Sequence, residues 1–419
     1  MSGNEKRALT PLLRFPEFWE ASEWSEMQLG DAVSLKVRKR TKPQTPYKGL
    51  GIRSHGKGTF LKHDEAPEKN SMEYLYEVHS DDLIVNITFA WEGALAIASQ
   101  EDEAALVSHR FPTYVFKKKI AIPKFFSYLI VDKIFIYRLG VISPGGAGRN
   151  RVLDKTDFLK LPVLIPSIEE QKKIADCLSS LDDLITAEAQ KLDALKTHKK
   201  GLMQQLFPAE GETVPRLRFP EFWDAGKWKE ETLSGIATIR SGATPLRSES
   251  KFYDGGTIPW VKTTDLNNSF IFHTEERITF AAKAKINPTN SVLVAMYGGF
   301  NQIGRTGYLT TPAATNQAIS VLNPYQGEIS PIYLLIWLNA KVEYWKRIAS
   351  SSRKDPNITS NDVAKFPIIY PAEMEQQRIA DCLSSLDDLI TAQTQKLDAL
   401  KTHKKGLMQH LFPNDIRTL

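Results

Sequence analysis

Cysteine is nearly absent from this chain of 419 residues: Cys177 and Cys382 are the only two, and no residues at ligand spacing surround either. A disulfide framework needs more of them, and a structural zinc site needs paired cysteines or histidines at short spacing. Long apolar runs are missing as well. No stretch of 18 or more apolar residues occurs, which excludes an ordinary spanning helix and leaves no membrane partner to expect. The opening MSGNEKRALTPLLRF has no apolar signal-peptide core, so a cytoplasmic protein is expected.

Catalytic signatures are equally scarce. There is no Asn-Pro-Pro-Tyr or Asp-Pro-Pro-Tyr stretch of the kind used in adenine methylation, no Walker A loop, no HExxH and no CxxC pair. Gly145-Gly146-Ala147-Gly148 is glycine-rich but lacks a strand–helix context, so it reads as a loop. The eight histidines are scattered, and His198 and His403 fall on a helical pattern where a solvated face is expected. No catalytic residue and no metal ligand can be named. The chain is expected to bind rather than to catalyse, with no cofactor of its own.

What is present is a repeat. Ile174–Pro208 and Ile379–Pro413 are identical at 32 of 35 positions, differing only at 188/393, 189/394 and 205/410. A shorter echo, LRFPEFW, stands at Leu13–Trp19 and Leu217–Trp223, while about 150 residues between the echoes in each half hardly resemble each other. Two equal frames around two unlike inserts suggest shared machinery serving two different recognitions. Charge divides the same way. Residues 1–168 and 207–371 carry +4 and +3, whereas 169–206 and 372–412 carry −1 each. That mild basic bias is compatible with nucleic acid but does not establish it.

The long repeat reads as a coiled-coil helix. Apolar residues fall on a 4-3-4-3 ladder at Ile174, Leu178, Leu181, Ile185, Leu192 and Leu195, and again at Ile379, Leu383, Leu386, Ile390, Leu397 and Leu400. Ser167 and Glu170 have capping-box spacing, whereas the second copy has Ala372 and must rely on Glu373 and Glu375 near the helix dipole. A bland alternative is two independent helices, each covering its own domain. Only a short link follows the first helix, so if the two pair they pair antiparallel. Each insert would then sit at an opposite end, in a pseudo-twofold, near-circular chain. That geometry places Glu188 opposite Gln393, Lys199 near Asp381, and Asp176 near Lys404 or Lys405. The expected fold class is α+β, with domains at 1–165 and 209–370, helices at 166–208 and 371–413, and a tail at 414–419.

The inserts show short β-rich runs divided by Gly, Pro and Asn turns. Two stretches with helical pattern, IPKFFSYLIVDKIFIYRL and SPIYLLIWLNAKVEYWKRIA, are expected to pack on their own sheets with their aromatics in the core. The best candidate DNA contacts are basic, turn-rich clusters: Arg38, Lys39, Arg40 and Lys42; Arg149 and Arg151; Arg240, Arg247 and Lys251; Arg353 and Lys354. Lys262, Thr263 and Thr264 join them, while Trp260 reads as core. Arg and Lys serve either phosphate or guanine, and spacing alone does not distinguish the two.

Several segments carry a family resemblance. PxxxEQxxIA (Pro166, Glu170, Gln171, Ile174, Ala175; Pro371, Glu375, Gln376, Ile379, Ala380), the LDxLI…KKGLMQxLFP helices, GxIPWVKTTDL at Gly256–Leu266, and ATNQAISVL all resemble the specificity subunit of type I restriction–modification systems. The resemblance spans nearly the whole chain. It implies two target-recognition domains, each reading half of a bipartite double-stranded DNA site. It further implies two methyltransferase subunits and two ATP-driven restriction subunits as partners. S-adenosylmethionine, ATP and Mg would then belong to those partners. Two rival readings are a self-contained modification enzyme, which the missing motifs disfavour, and a coiled-coil protein-interaction scaffold without DNA specificity.

Overall fold

The computed structural model describes residues 10–143, 151–350 and 357–413. It resolves into two compact units, one holding the described residues up to Ala189 and from Lys396 onward, the other Gln190–Gln395. The two long helices, Ile168–Leu206 and Glu373–Leu411, run 39 residues each, and every unit takes part of both.

In the first unit the insert is built on two sheets. A four-stranded antiparallel sheet has the order Val33–Lys36, Thr113–Phe116, Leu83–Val85, Leu95–Ile97. A five-stranded sheet has the order Lys39–Thr41, Tyr74–Glu77, Leu106–Val107, Tyr47–Ile52, Thr59–Glu65. Helices Pro123–Leu129 and Lys133–Val141 cover the first sheet and contribute the buried Phe125, Phe126 and Phe135. Proline sits in the first turn of one, where its missing N–H costs nothing. Asp132 caps the other through Ile134 N and Phe135 N.

The second unit has a different pair of sheets. Ala237–Ser241, Ile319–Pro324, Val292–Ala295, Thr306–Leu309 and Ser269–Ile271 form one, and Glu276–Ile278, Ile258–Val261 and Ala314–Thr315 the other. Helices Pro331–Ala340 and Val342–Ser350 follow, with Tyr333, Trp337 and Trp345 buried. In both units the expected helical stretches pack on their own domain and their aromatics are core. Trp260 is core too, at 1% exposure.

Under the unlike sheets lies a common base. Ser25–Gln28 pairs antiparallel with Pro162–Ile165, and Lys229–Thr232 pairs in the matching register with Pro367–Tyr370. Each ribbon leads straight into a long helix and buries a tryptophan, Trp24 or Trp228. The first helix ends with Phe207 against Tyr333 and Trp337 in the second unit. The second ends with Phe412 against Trp24 and Phe125 in the first. Leu13 N donates to His410 O at 2.9 Å, so the chain closes on its own beginning within the first unit.

The apolar ladder serves two purposes. Ile174, Leu178, Ile379 and Leu383 are fully buried and belong to the insert cores. Leu192 and Leu397 are buried, while Leu181, Ile185, Leu195, Leu386, Ile390 and Leu400 are half-buried, as expected of a two-helix seam. The ends of the ladder are therefore domain core, and the residues between them are less deeply buried.

Candidate nucleic-acid interface

The helix segments run antiparallel in each unit, but their register differs from the sequence expectation. Lys404 pairs with Asp182 and Lys396 with Glu188 in the first unit, and Lys199 pairs with Asp387 in the second. Lys199 was expected near Asp381, one and a half turns away. Asp176 meets Lys124 of its own insert at 3.3 Å, not Lys404. Ladder periodicity is nearly degenerate under a one-turn slide. Both ends of each helix are buried in insert cores, which the ladder does not encode. Glu188 and Gln393 are both buried, at 9% and 6% exposure. Lys396 is a cationic partner of the first.

Where each insert meets its long helix, one clamp occurs twice. Arg14 of the first LRFPEFW donates to both oxygens of Glu170, Nε at 2.8 Å and Nη2 at 2.7 Å. Arg218 of the second does the same to Glu375, at 2.7 and 2.7 Å. The remaining guanidinium hydrogens reach the carbonyls of Ala21 and Ser22, or of Ala225 and Gly226. Both carboxylates are almost fully buried, and each holds its arginine more firmly protonated through the shared hydrogen bonds. This corrects the capping-box reading. Ser167 Oγ accepts from Glu170 N, but the Glu170 carboxylate turns away to Arg14 and to Trp24 Nε1.

The neighbouring glutamine explains the rest of the repeated motif. Gln171 donates to Ile120 O and Pro166 O and accepts from Ile122 N. Gln376 donates to Glu328 O and Pro371 O and accepts from Ser330 N. Each glutamine thus ties the long helix to the turn that starts the insert's own helix pair. Exposed Trp19 and Trp223 each donate Nε1 to the carbonyl of the clamp arginine, at 2.9 Å in both. Arg14, Arg218, Gln171 and Gln376 position the inserts.

Most candidate DNA contacts turn out to have protein partners. Arg38 is half-buried and forks onto buried Asp82, at 2.6 and 3.1 Å. Lys39 lies 3.5 Å over the Tyr74 ring, Arg40 pairs with Glu77, and Lys42 donates to Pro67 O and Asn70 O. Arg151 sits over Trp91. In the second unit Arg240 donates to Asn287 Oδ1 and Ile286 O, and Lys251 pairs with Glu249. Lys262 bridges Glu275 and Glu276, both at 2.7 Å, while Arg247 forks onto Glu276. The Arg247 guanidinium and the Lys262 ammonium together hold the Glu276 carboxyl down at about 2. Thr263 and Thr264 open a single 3-10 turn, half-buried and exposed respectively. Arg149, Arg353 and Lys354 lie outside the described residues.

Comparison with known proteins decides what the duplicated frame belongs to. The family described as the type I restriction modification DNA specificity domain matches residues 21–197 and again 225–402. The chain belongs to this family. It is 24% identical to the MjaVIII specificity subunit of Methanocaldococcus jannaschii, over 97% of this chain and 94% of that one. A second relative from the same organism, the MjaIX specificity subunit, is 30% identical over 46% of this chain and 45% of its own length. The HindI specificity subunit of Haemophilus influenzae is 21% identical over 84% and 90%. The fold is shared with the type I restriction-modification S subunit from M. genitalium, with a TM-score of 0.61 at 16% identity over 97% and 99% of the two chains.

Each copy of the specificity domain contains one insert, one two-stranded ribbon and the first part of one long helix. The clamp arginines Arg14 and Arg218 lie just upstream of the matched residues. Their signal in the sequence was the second copy of LRFPEFW. Trp24 and Trp228 carried a weaker one, EWSEMQLGD against KWKEETLSG, in which only scattered positions coincide. Among the described residues no helix is long and apolar enough to cross a membrane.

Proposed function

We propose that each insert reads one half of a bipartite double-stranded DNA site, and that the equal frames dock two copies of one methyltransferase subunit. Two restriction subunits complete the assembly. Methyl transfer and ATP-driven cleavage belong to those partners, with S-adenosylmethionine, ATP and Mg as their cofactors. The chain itself recognises and does not catalyse, as befits a type I specificity subunit. One observation carries the reading: the same arginine–glutamate–glutamine clamp holds two inserts whose sheets differ in order and strand number. Equal frames offer equal docking surfaces, and unlike readers suit an asymmetric target.

The test exchanges residues of about 26–160 for those of a relative and maps methylated adenines in DNA from cells carrying the hybrid. One half-site should change and the other stay. A swap that alters both halves together defeats the assignment of one reader per half-site. The protein-scaffold alternative predicts methylation patterns that do not respond to the exchange at all.

A further inference from the structure

Among the described arginines selected from sequence, Arg247 alone is held by both a carboxylate fork and two aromatic rings. Its two terminal nitrogens engage Glu276 end-on, Nη1 to Oε2 at 2.6 Å and Nη2 to Oε1 at 3.1 Å. Its plane lies 4.7 Å from the Tyr253 ring centroid and 5.1 Å from that of Trp260. Both rings are themselves pinned. Tyr253 OH donates to Pro245 O at 2.6 Å and Trp260 Nε1 to Ala243 O at 3.3 Å. Yet the side chain stays 56% exposed. A guanidinium carries five N–H groups in a rigid plane, and the end-on fork uses two of them. The Nε edge, with the Nη hydrogen beside it, has no partner among the described residues and forms a second, parallel pair of donors.

Arg40 gives its Nε to Glu77 and Arg240 gives its Nε to Asn287. Arg38 makes the same end-on fork onto Asp82 but is only 20% exposed, and Arg151 sits over Trp91 without a carboxylate to brace it. Two coplanar donors on a rigid, exposed support match the O6 and N7 acceptors that guanine presents in the major groove. A phosphate contact has no need of such bracing, since a mobile cation serves as well. We infer that Arg247 reads one guanine of the half-site bound by the second insert through its Nε edge, with Glu276 as its positioning residue. This rests on the DNA-reading role proposed above. Lys262, shared between Glu275 and Glu276, completes the support by donating to Glu276 Oε1, the oxygen that also accepts from Arg247 Nη2.

The test uses the full chain assembled with its partner subunits, in selection from a duplex library with randomised positions. Wild type, Arg247→Lys and Glu276→Gln are compared at two salt concentrations. Arg247→Lys keeps the charge but loses the planar fork. It should cut the preference for guanine at one position of one half-site by roughly tenfold or more, the other half-site serving as the internal control for folding. Placing 7-deazaguanine there, which removes N7, should weaken wild type more than Arg247→Lys, which lacks the planar two-point fork. Glu276→Gln should lower the same preference without lowering binding to a poly(dA)·poly(dT) duplex, which a collapsed insert would not manage. Two results overturn the inference: unchanged preferences and unchanged binding in Arg247→Lys, as expected of a phosphate contact that lysine serves as well, or a uniform loss on all duplexes that leaves the preference at every position as in wild type. If wild type selects no sequence for one half-site, the DNA-reading role fails first and takes this inference with it.

Discussion

Replacing Arg14 by alanine removes one partner of a buried ion pair and leaves the other in place. Glu170 has 1% side-chain exposure and is held by two guanidinium donors at 2.8 and 2.7 Å, with Trp24 Nε1 at 3.3 Å as its remaining side-chain donor. Stripping the cation from such a carboxylate costs about 3–5 kcal/mol, because the charge stays desolvated. With an urea slope of about 3 kcal/mol/M for a unit of this size, the midpoint of the first unit's transition should fall by about 1–1.7 M. Because eight tryptophans are spread over both units, amide hydrogen exchange resolved to peptides of the first unit reports on that unit along the urea titration. Arg218→Ala should do the same to the second unit and leave the first transition where it was. The decisive control is Arg14→Met with Glu170→Met, which removes both charges and should recover all but about 1–2 kcal/mol of the loss. Should Arg14→Ala cost less than about 1 kcal/mol, or should the double variant be as unstable as the single, the clamp is not what holds insert to helix.

Other expectations follow from particular contacts. Gln171→Ala leaves Ile122 N and the Ile120 carbonyl without their partner and should cost about 1–3 kcal/mol by urea denaturation, with Gln376→Ala equivalent in the second unit. Gly242→Ala drives a Cβ into the Thr315 carbonyl oxygen, a backbone atom that cannot swing aside, so the second unit should melt several degrees earlier by calorimetry. Because the folded-state pKa of Glu276 is depressed to about 2 from its ordinary 4.5, its contribution is fully present above pH 4.5 and lost as pH falls toward 2. Stability of the second unit, followed by circular dichroism between pH 5 and 2, should therefore drop less steeply in Glu276→Gln than in wild type. Lys396→Ala should destabilise the first unit, since buried Glu188 loses its cation. Restoration by Glu188→Gln, the residue type present at 393, would confirm the cause.

Much of the fold was legible because it is periodic or repeated. The ladder from Ile174 and from Ile379 revealed the helices, and the short connection after Phe207 dictated that they run antiparallel. The aromatic stretches around Phe125 and Tyr333 read as core, and they are. Register was not legible. A 4-3 ladder looks nearly the same after a one-turn slide, and the cations that pair across it, Lys404 with Asp182 and Lys199 with Asp387, are not marked by the apolar pattern. The surroundings of the candidate DNA contacts were not legible either. Charge marks a residue as available, but whether Arg38 faces solvent depends on an aspartate 44 positions away.

The sequence by itself determined that one frame is used twice around two different readers, since identity between the copies needs no geometry to see. It also contained both halves of each clamp, Arg14 with Glu170 and Arg218 with Glu375, without linking them. Only tertiary structure brought together residues 156 and 157 positions apart, and only it decided which cations are already taken. The physical reason is the same in each case. Periodicity is a property of one segment, whereas a buried charge must find its counter-charge wherever the fold puts it.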